Sequence, residues 1–467
     1  MMIKQWKMRP LVDAPRGGIW LGAGGAGGDG IWLGSLAETV SGKQPQVWLS
    51  TSKEQVVAVV GKRGSGKSFT LGAIAEGLGS GTLSVLGRQE NPRAVLLFDP
   101  LDVYWTTRYA VAPSDNPEAQ RHYQLAQSAS LPKLDFEVEA WVPGESNRKE
   151  TDPGWFQTLR LPVPVMSLED WELLLGVNVM TDPMGHALAD ALNLVRESGY
   201  RHAGETINSL DEFDLDNLAA AVQSDEMTAV YHPESLRALR QRLDAMARTG
   251  LFSSCGTTIR NLLAAGRVTI VMLGRLPQSY RTATVAILTR MLIGERSNVA
   301  FAEKRLALDP ELTETSRRLI ESITLGGIPK TIVVLDEAQS FLAPGSSNPA
   351  RSLFIRLVKE GRNIGLSAIL ATQQPSALDQ RVLSQVETFI AHQLVTDPDI
   401  RAVRINLKSS LPGSIQSGTH MMDIAALLRQ LPPGFCLISA ADVNTTVRRA
   451  LVVGVRPRAT VHGGIEL

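Results

Sequence analysis

The run Val56-Val57-Ala58-Val59-Val60 leads straight into Gly61-Lys62-Arg63-Gly64-Ser65-Gly66-Lys67-Ser68, and a helix-forming stretch, Phe69 to Leu78, follows. This junction restricts the fold more than any other segment. A short, continuous, largely β-branched apolar run reads as a strand covered on both faces. The glycines allow a backbone turn closed to other residues, and the helix behind them directs its free N–H groups into the loop. GxxxxGK[ST] is matched at every defined position and in the strand–loop–helix context that the motif requires. Such a loop closes around phosphates, and the helix N-terminus adds a favourable dipole. The candidate nucleotide-binding residues are therefore Gly61, Arg63, Gly64, Ser65, Gly66, Lys67, Ser68 and Phe69. Lys67 would neutralise the β and γ phosphates of ATP, and the Ser68 hydroxyl would ligand Mg²⁺.

A phosphate loop of this kind needs an acidic partner. Thr331 to Leu335 is a second apolar run, and it ends in Asp336-Glu337. Asp336 would hold the Mg²⁺ through water and Glu337 would polarise the attacking water, which favours hydrolysis over transfer to a substrate hydroxyl. Acidic residues also end strands simply because the chain has reached solvent. The next apolar run, Ser367 to Ala371, leads to Thr372-Gln373-Gln374. In a parallel sheet Gln373 would lie near the γ-phosphate and sense the nucleotide state, the alternative being an amide that caps a strand end. Upstream, Lys359-Glu360-Gly361-Arg362-Asn363-Ile364-Gly365 presents a glycine-flanked arginine. Arg362 is a candidate arginine finger for a neighbouring subunit, or else a solvated basic turn.

Further apolar runs at Ala94 to Phe98 and Val268 to Leu273 alternate with helical patterns, so the fold class is α/β with a mainly parallel sheet. The expected organisation is a β-rich N-terminal docking region over 1–55, the first part of the ATPase core over 56–105, a helical insertion over 106–261, and the second part with a C-terminal extension over 262–467. Gly-Ile-Trp-Leu-Gly occurs twice, at Gly18 to Gly22 and Gly30 to Gly34, as short β elements joined by glycine turns. The stretches Ser167 to Leu175 and Pro233 to Arg248 read as helices. The latter carries Arg237, Arg240, Arg242 and Arg248, either as a pore lining or as a solvated face.

Lysine plus arginine and aspartate plus glutamate each total 47, so no global basic excess marks a free-standing nucleic-acid binder. Any polyanion would be gripped locally, as in a pore. Cys255 and Cys436 stand far apart outside any zinc spacing, and nowhere do 18 uninterrupted apolar residues occur. The expectation is a cytoplasmic protein with no membrane partner.

Taken in order, these segments resemble the HerA/FtsK superfamily of ring-forming DNA-translocating ATPases, and within it the HerA branch. The resemblance rests on GKRGSGKS, Phe98-Asp99-Pro100, Leu335-Asp336-Glu337-Ala338-Gln339, Gly361-Arg362-Asn363-Ile364-Gly365, Thr372-Gln373-Gln374-Pro375-Ser376 and Val455-Arg456-Pro457-Arg458. It covers roughly 50 to 105 and 262 to 464, leaving the insertion largely outside. It implies a RecA-like P-loop core, a homo-hexamer around double-stranded DNA, and an effector or nuclease subunit in trans, in DNA processing or anti-phage defence. It also implies a trans-acting arginine near Arg362, with Arg356 as the alternative, and for Arg456 and Arg458 a reach back to a neighbouring nucleotide site or a subunit contact, or else a plain surface role. Two departures stand out. Val103 occupies the position where the family carries a glutamate, leaving Asp102 as its possible substitute, and only about 55 residues precede the loop where relatives carry a complete β-barrel. Alongside the translocase stand two other readings: a scaffold ATPase ring that switches an effector without moving DNA, and a small-molecule phosphotransferase.

Overall fold

The computed structural model describes residues 6–7, 17–25, 27–37, 44–81, 84–133, 136–345, 348–407, 415–417, 420–444 and 450–464. One large sheet organises them. Its parallel block runs Thr388–Ala391, Val56–Val60, Leu366–Thr372, Thr331–Leu335, Ala94–Asp99, Val268–Met272, Val138–Pro143 and Gln157–Leu159. Every residue of Val56–Val60, Leu366–Thr372, Thr331–Leu335 and Ala94–Asp99 is buried, as expected of strands covered on both faces.

Successive side chains alternate between two cores. Val57, Val59, Val95, Leu97, Ile332 and Ile369 meet Leu71, Ile74 and Leu78 of the helix Lys67–Gly79. Ala58, Val60, Leu96, Phe98, Val333 and Leu335 face the opposite layer, where the long helix Gln278–Leu308 and the helix Pro349–Glu360 lie. The phosphate-loop helix is thus enclosed on nearly all sides, consistent with the apolar and small residues along it.

Two boundaries differ from the sequence expectation. The stretch 106–261 is not helical throughout, because Val138–Pro143 and Gln157–Leu159 extend the parallel sheet beyond Val268–Met272. Val138-Glu139-Ala140-Trp141-Val142 alternates buried and part-exposed side chains, the period of a half-covered edge region rather than of a central strand. The helical unit begins after it, with Leu168–Leu175, Pro183–Asn193, Leu215–Val222 and Pro233–Ala247 packed around Leu188, Leu218, Leu239 and Leu243. Within the last of these helices Arg240 pairs with Asp244 at 3.6 Å and bonds Gln223, and Arg242 donates to the Leu175 carbonyl. Both arginines are engaged inside the helical unit, while Arg237 and Arg248 stay exposed.

The N-terminal β elements are likewise not a separate platform. Ala450–Val455 pairs antiparallel with Phe435–Ala440 on one side and with Gly30–Leu36 on the other, and Gln46–Ser50 and Ile19–Leu21 complete that edge. The two Gly-Ile-Trp-Leu-Gly copies therefore flank one strand, Gln46–Ser50, and Trp20 stacks on Trp48 with centroids 5.3 Å apart and planes at 10°.

The C-terminal arginines are not at the surface. Arg456 and Arg458 are both buried against Glu76 of the phosphate-loop helix, with N–O distances of 2.7 and 3.0 Å. The Ala459 and Thr460 backbone N–H groups also donate to the Glu76 carboxylate, at 3.1 and 3.0 Å, and Arg456 donates onward to the Ala73 carbonyl at 2.6 Å. Gly72 is required beside them, since a Cβ there would come within 2.4 Å of the Arg458 guanidinium. Burial alone would raise the Glu76 pKa, but the two guanidiniums and the Thr460 hydroxyl hold it below the usual carboxylate range. Substituting Glu76→Gln leaves two guanidiniums without a counter-charge and should destabilise the fold by about 3–5 kcal/mol. Urea unfolding at neutral pH checks this, and a change below about 1 kcal/mol would show the cluster to be replaceable.

Candidate functional site

The carboxyl ends of the parallel strands converge on one edge, where an α/β sheet places its ligand. The strand Leu366–Thr372 lies between the phosphate-loop strand and the strand that ends before Asp336. In that register Thr372 stands opposite Val60 and Leu335 opposite both Leu370 and Phe98, so Gly61, Gln373, Asp336 and Asp99 follow one another along the edge.

Gly61, Gly64 and Gly66 have φ of +158°, +74° and +113°. At Gly61 space decides as well, because a Cβ would come within 2.7 Å of His392 and 2.6 Å of the Ser65 hydroxyl. Lys62, Arg63 and Gly64 form the exposed crown of the loop. The Ser65 hydroxyl donates to the Lys62 carbonyl at 2.7 Å, and the Lys62 N–H donates to the Gln393 carbonyl at 2.8 Å. Gly66 caps the helix in a left-handed conformation with no side-chain acceptor, so the first-turn N–H groups point into the loop free for an anion. Beneath it His392, wholly buried, accepts from the Thr70 hydroxyl at 2.9 Å through Nε2 and donates to the Phe435 carbonyl at 3.0 Å through Nδ1. This arrangement of donors assigns the tautomer.

Lys67 is 6% exposed, and its ammonium donates to the Lys62 carbonyl at 3.1 Å. Burial lowers its pKa against the opposing fields of Glu337 and Asp336. Asp336 is 1% exposed and its pKa is raised, chiefly by burial. Asp99, beside it, is pushed up to about 8 by burial, with Asp102 and Asp336 adding their charge. Asp102 itself turns away from the loop, accepting from the Gly274 N–H at 2.9 Å and facing Arg275 at 3.8 Å. A serine hydroxyl and a buried carboxylate that the protein itself leaves partly uncompensated are the hard oxygen donors that Mg²⁺ takes, so Ser68 and Asp336 fit that ion.

Glu337 sits at φ +48°, a backbone conformation rarely adopted by residues other than glycine. Its carboxylate is clasped by two amides, from Gln373 and from Gln339, and the Thr372 hydroxyl fixes the latter by donating to its carbonyl at 2.7 Å. Gln339 carries a contact that the sequence reading did not assign, although it stands two residues after Glu337 in a polar run that breaks the apolar strand. Phe69 faces His122 and His462 edge-on, at 5.7 and 5.9 Å.

Arg362 is not brought to this group. It precedes the strand Leu366–Thr372, whose seven residues span roughly 20 Å, so it stands at the opposite edge of the sheet from Gln373. It is exposed, and none of the ion pairs among the described residues includes it. Arg356 is held in an i,i+4 pair with Glu360 at 2.9 Å.

Fold and site together define a P-loop ATPase with a RecA-like core. The family model described as "Helicase HerA, central domain" matches residues 39–292, more than half of the 467 residues, and the chain belongs to that family. The match runs through 106–261, which the sequence reading had set largely outside the resemblance. Two curated relatives are each described as a DNA double-strand break repair helicase HerA. The one from Pyrococcus furiosus is 28% identical over 152 residues, covering 30% of this chain and 27% of the relative. The one from Sulfurisphaera tokodaii is 28% identical over 92 residues, covering 20% and 18%. These matches span about a quarter or less of the relatives' length. Among solved structures, VirB4 of Thermoanaerobacter pseudethanolicus superposes with a TM-score of 0.51 at 14% identity, covering 92% of this chain and 97% of that one, which shows the shared fold. Among the described residues no helix is long and apolar enough to cross a membrane.

The histidine under the loop makes a pH-dependent prediction. Burial lowers the His392 pKa from 6.5 to about 4, so the unfolded chain binds the extra proton between those values and stability falls as pH drops through that window. The loss from this residue is about 3 kcal/mol. His392→Gln should flatten that part of the pH dependence in urea unfolding measured from pH 7 to 4. Comparison with the parent isolates the effect from Asp99, whose raised pKa acts in the opposite direction. An unchanged slope would mean that His392 titrates normally.

Proposed function

We propose that this chain is the ATP-hydrolysing subunit of a hexameric ring that moves double-stranded DNA, serving a nuclease or other effector subunit in trans in DNA processing or anti-phage defence. The observation that carries the reading is the separation of Arg362 from the rest of the machinery. Lys67, Ser68, Asp336, Glu337 and Gln373 meet at one edge of the sheet, and Arg362, exposed and without an ion pair among the described residues, stands at the other. An arginine so placed is of no use to its own phosphate loop and is free to complete a neighbour's. Family membership and the VirB4-like fold support a motor of this class.

In this reading the first-turn N–H groups and Lys67 bind the β and γ phosphates, while the exposed Arg63 and the neighbouring Phe69 border the nucleotide. Ser68 and Asp336 hold Mg²⁺, which when bound offsets phosphate charge and polarises the reacting oxygens. Glu337 orients and polarises the attacking water, and the burial of Lys67 strengthens its attraction for the phosphates. Gln373 and Gln339 hold the Glu337 carboxylate against its strained backbone, and release of Gln373 would report the nucleotide state to the adjoining strand. Double-stranded DNA would pass through the centre of the ring.

Lys67→Ala and Glu337→Gln should each lower ATP turnover by roughly 100-fold or more, and duplex DNA should stimulate the parent in a salt-dependent manner. Turnover indifferent to duplex DNA at every salt concentration would exclude the translocase, and ATP consumption without triplex displacement would favour the scaffold ring. Arg362→Ala should cost about 10³-fold. Mixing it with Lys67→Ala subunits should restore part of the turnover, since one variant supplies the loop and the other the arginine. No recovery in the mixture would count against action across the subunit boundary.

A further inference from the structure

Tyr104 has no part in the scheme above, yet the two groups assigned to the metal converge on it. It is 1% exposed and closes the turn after the strand Ala94–Asp99. Its backbone N–H donates to Asp99 Oδ2 at 2.8 Å, and the Leu101 N–H donates to Oδ1 of the same carboxylate at 3.1 Å. The C-terminal segment closes over this turn. The Thr106 hydroxyl lies 3.1 Å from the Val103 carbonyl and 2.9 Å from that of Val461, and a Cβ on Gly463 would come within 2.3 Å of the Val103 oxygen. The phenol is consequently fixed at both ends of its turn. At its tip the hydroxyl donates to Asp336 Oδ2 at 2.8 Å, and the Ser68 side chain faces the same phenol. The other carboxylate oxygen, Asp336 Oδ1, accepts from the Glu337 N–H at 2.8 Å.

We propose that Tyr104 is a positioning residue, a relay in which Ser68 donates to the phenol and the phenol donates to Asp336, so that the serine presents its lone pairs to a divalent cation. A hydroxyl has one hydrogen and two acceptor lone pairs, and to ligand a cation it must send that hydrogen elsewhere. A phenol committed to a buried carboxylate has its own oxygen open to receive it. With phenylalanine in its place, Asp336 Oδ2 loses its donor and the serine rotor loses its fixed direction. The inference rests on Ser68 and Asp336 being the metal-side pair of a nucleotide site, and it adds what aligns them.

The test is binding of a fluorescent ADP analogue to the full chain, with and without Mg²⁺. For Tyr104→Phe, metal-free affinity should stay within about twofold of the parent while the half-saturating Mg²⁺ concentration rises about tenfold, the scale of one hydrogen bond to a charged group. Ser68→Ala should also raise that concentration, and adding Tyr104→Phe to it should raise it by less than Tyr104→Phe does in the parent, because the relay has already lost its first member and only the Asp336 donor remains to be lost. A merely structural tyrosine would instead weaken metal-free binding and add its effect in both backgrounds. Equal Mg²⁺ dependence in Tyr104→Phe and parent overturns the relay. Failure of the parent to bind the nucleotide at all overturns the site reading beneath it. Should Tyr104→Phe not fold, 3-fluorotyrosine at position 104 keeps the phenol. Its fluorine resonance should shift when Mg²⁺ joins the parent's nucleotide complex and stay put in Ser68→Ala, and an unmoved resonance in the parent overturns the proposal.

Discussion

A single buried carboxylate, Glu76, fastens the phosphate-loop helix to the segment that follows the sheet's antiparallel edge. A charge with no access to water is tolerable only when its partners satisfy it fully, and here two guanidiniums, two backbone N–H groups and a threonine hydroxyl do so. The guanidiniums are satisfied in turn, by the carbonyls of Ala73 and Trp32 and the hydroxyls of Thr107 and Thr460. The helix that must aim its N-terminus at a phosphate is therefore held along its flank by directional bonds as well as by packing. The same segment continues over the turn that carries Tyr104, so the two halves of the nucleotide site share one support.

The chemistry at the edge is laid out in the same way, with each reactive group held by a neighbour from a different strand. Glu337 adopts a backbone conformation that costs of order 1–3 kcal/mol for a residue with a side chain, and the two glutamine amides with Thr372 offset it. Gln373 and Thr372 close the strand that lies between the loop and the acidic pair, so that strand touches both halves of the site.

Much of this was legible in the sequence. The four central strands are continuous apolar runs, and their ends carry the groups that a phosphate site needs, so Lys67, Ser68, Asp336, Glu337 and Gln373 could be placed on one edge before any coordinates. Val138–Pro143 was missed because its alternation belongs to a half-covered strand, set in a polar, proline-containing stretch that reads as loop and helix. The burial of Arg456 and Arg458 was not legible at all. Arginines beside a proline near a chain end look solvated, and their partner stands 380 residues earlier, beyond the reach of any local pattern. Gln339 falls between these cases, since its position in a motif was visible but only packing shows which atoms it touches, whereas Tyr104 stands out only in the structure.

The closure of the sheet has a consequence for how the chain is made. Gly30–Leu36 has one of its flanking strands in Ala450–Val455, and among the described residues Glu76 finds its counter-charges at Arg456 and Arg458. While the polypeptide is still emerging from the ribosome, the loop, its helix and the first strands exist for hundreds of residues without the contacts that finish them. Folding with contacts of such long sequence separation is slow and leaves apolar strand edges open in the interim. The phosphate-loop helix thus waits through 380 residues of synthesis for the first of the guanidiniums that complete it.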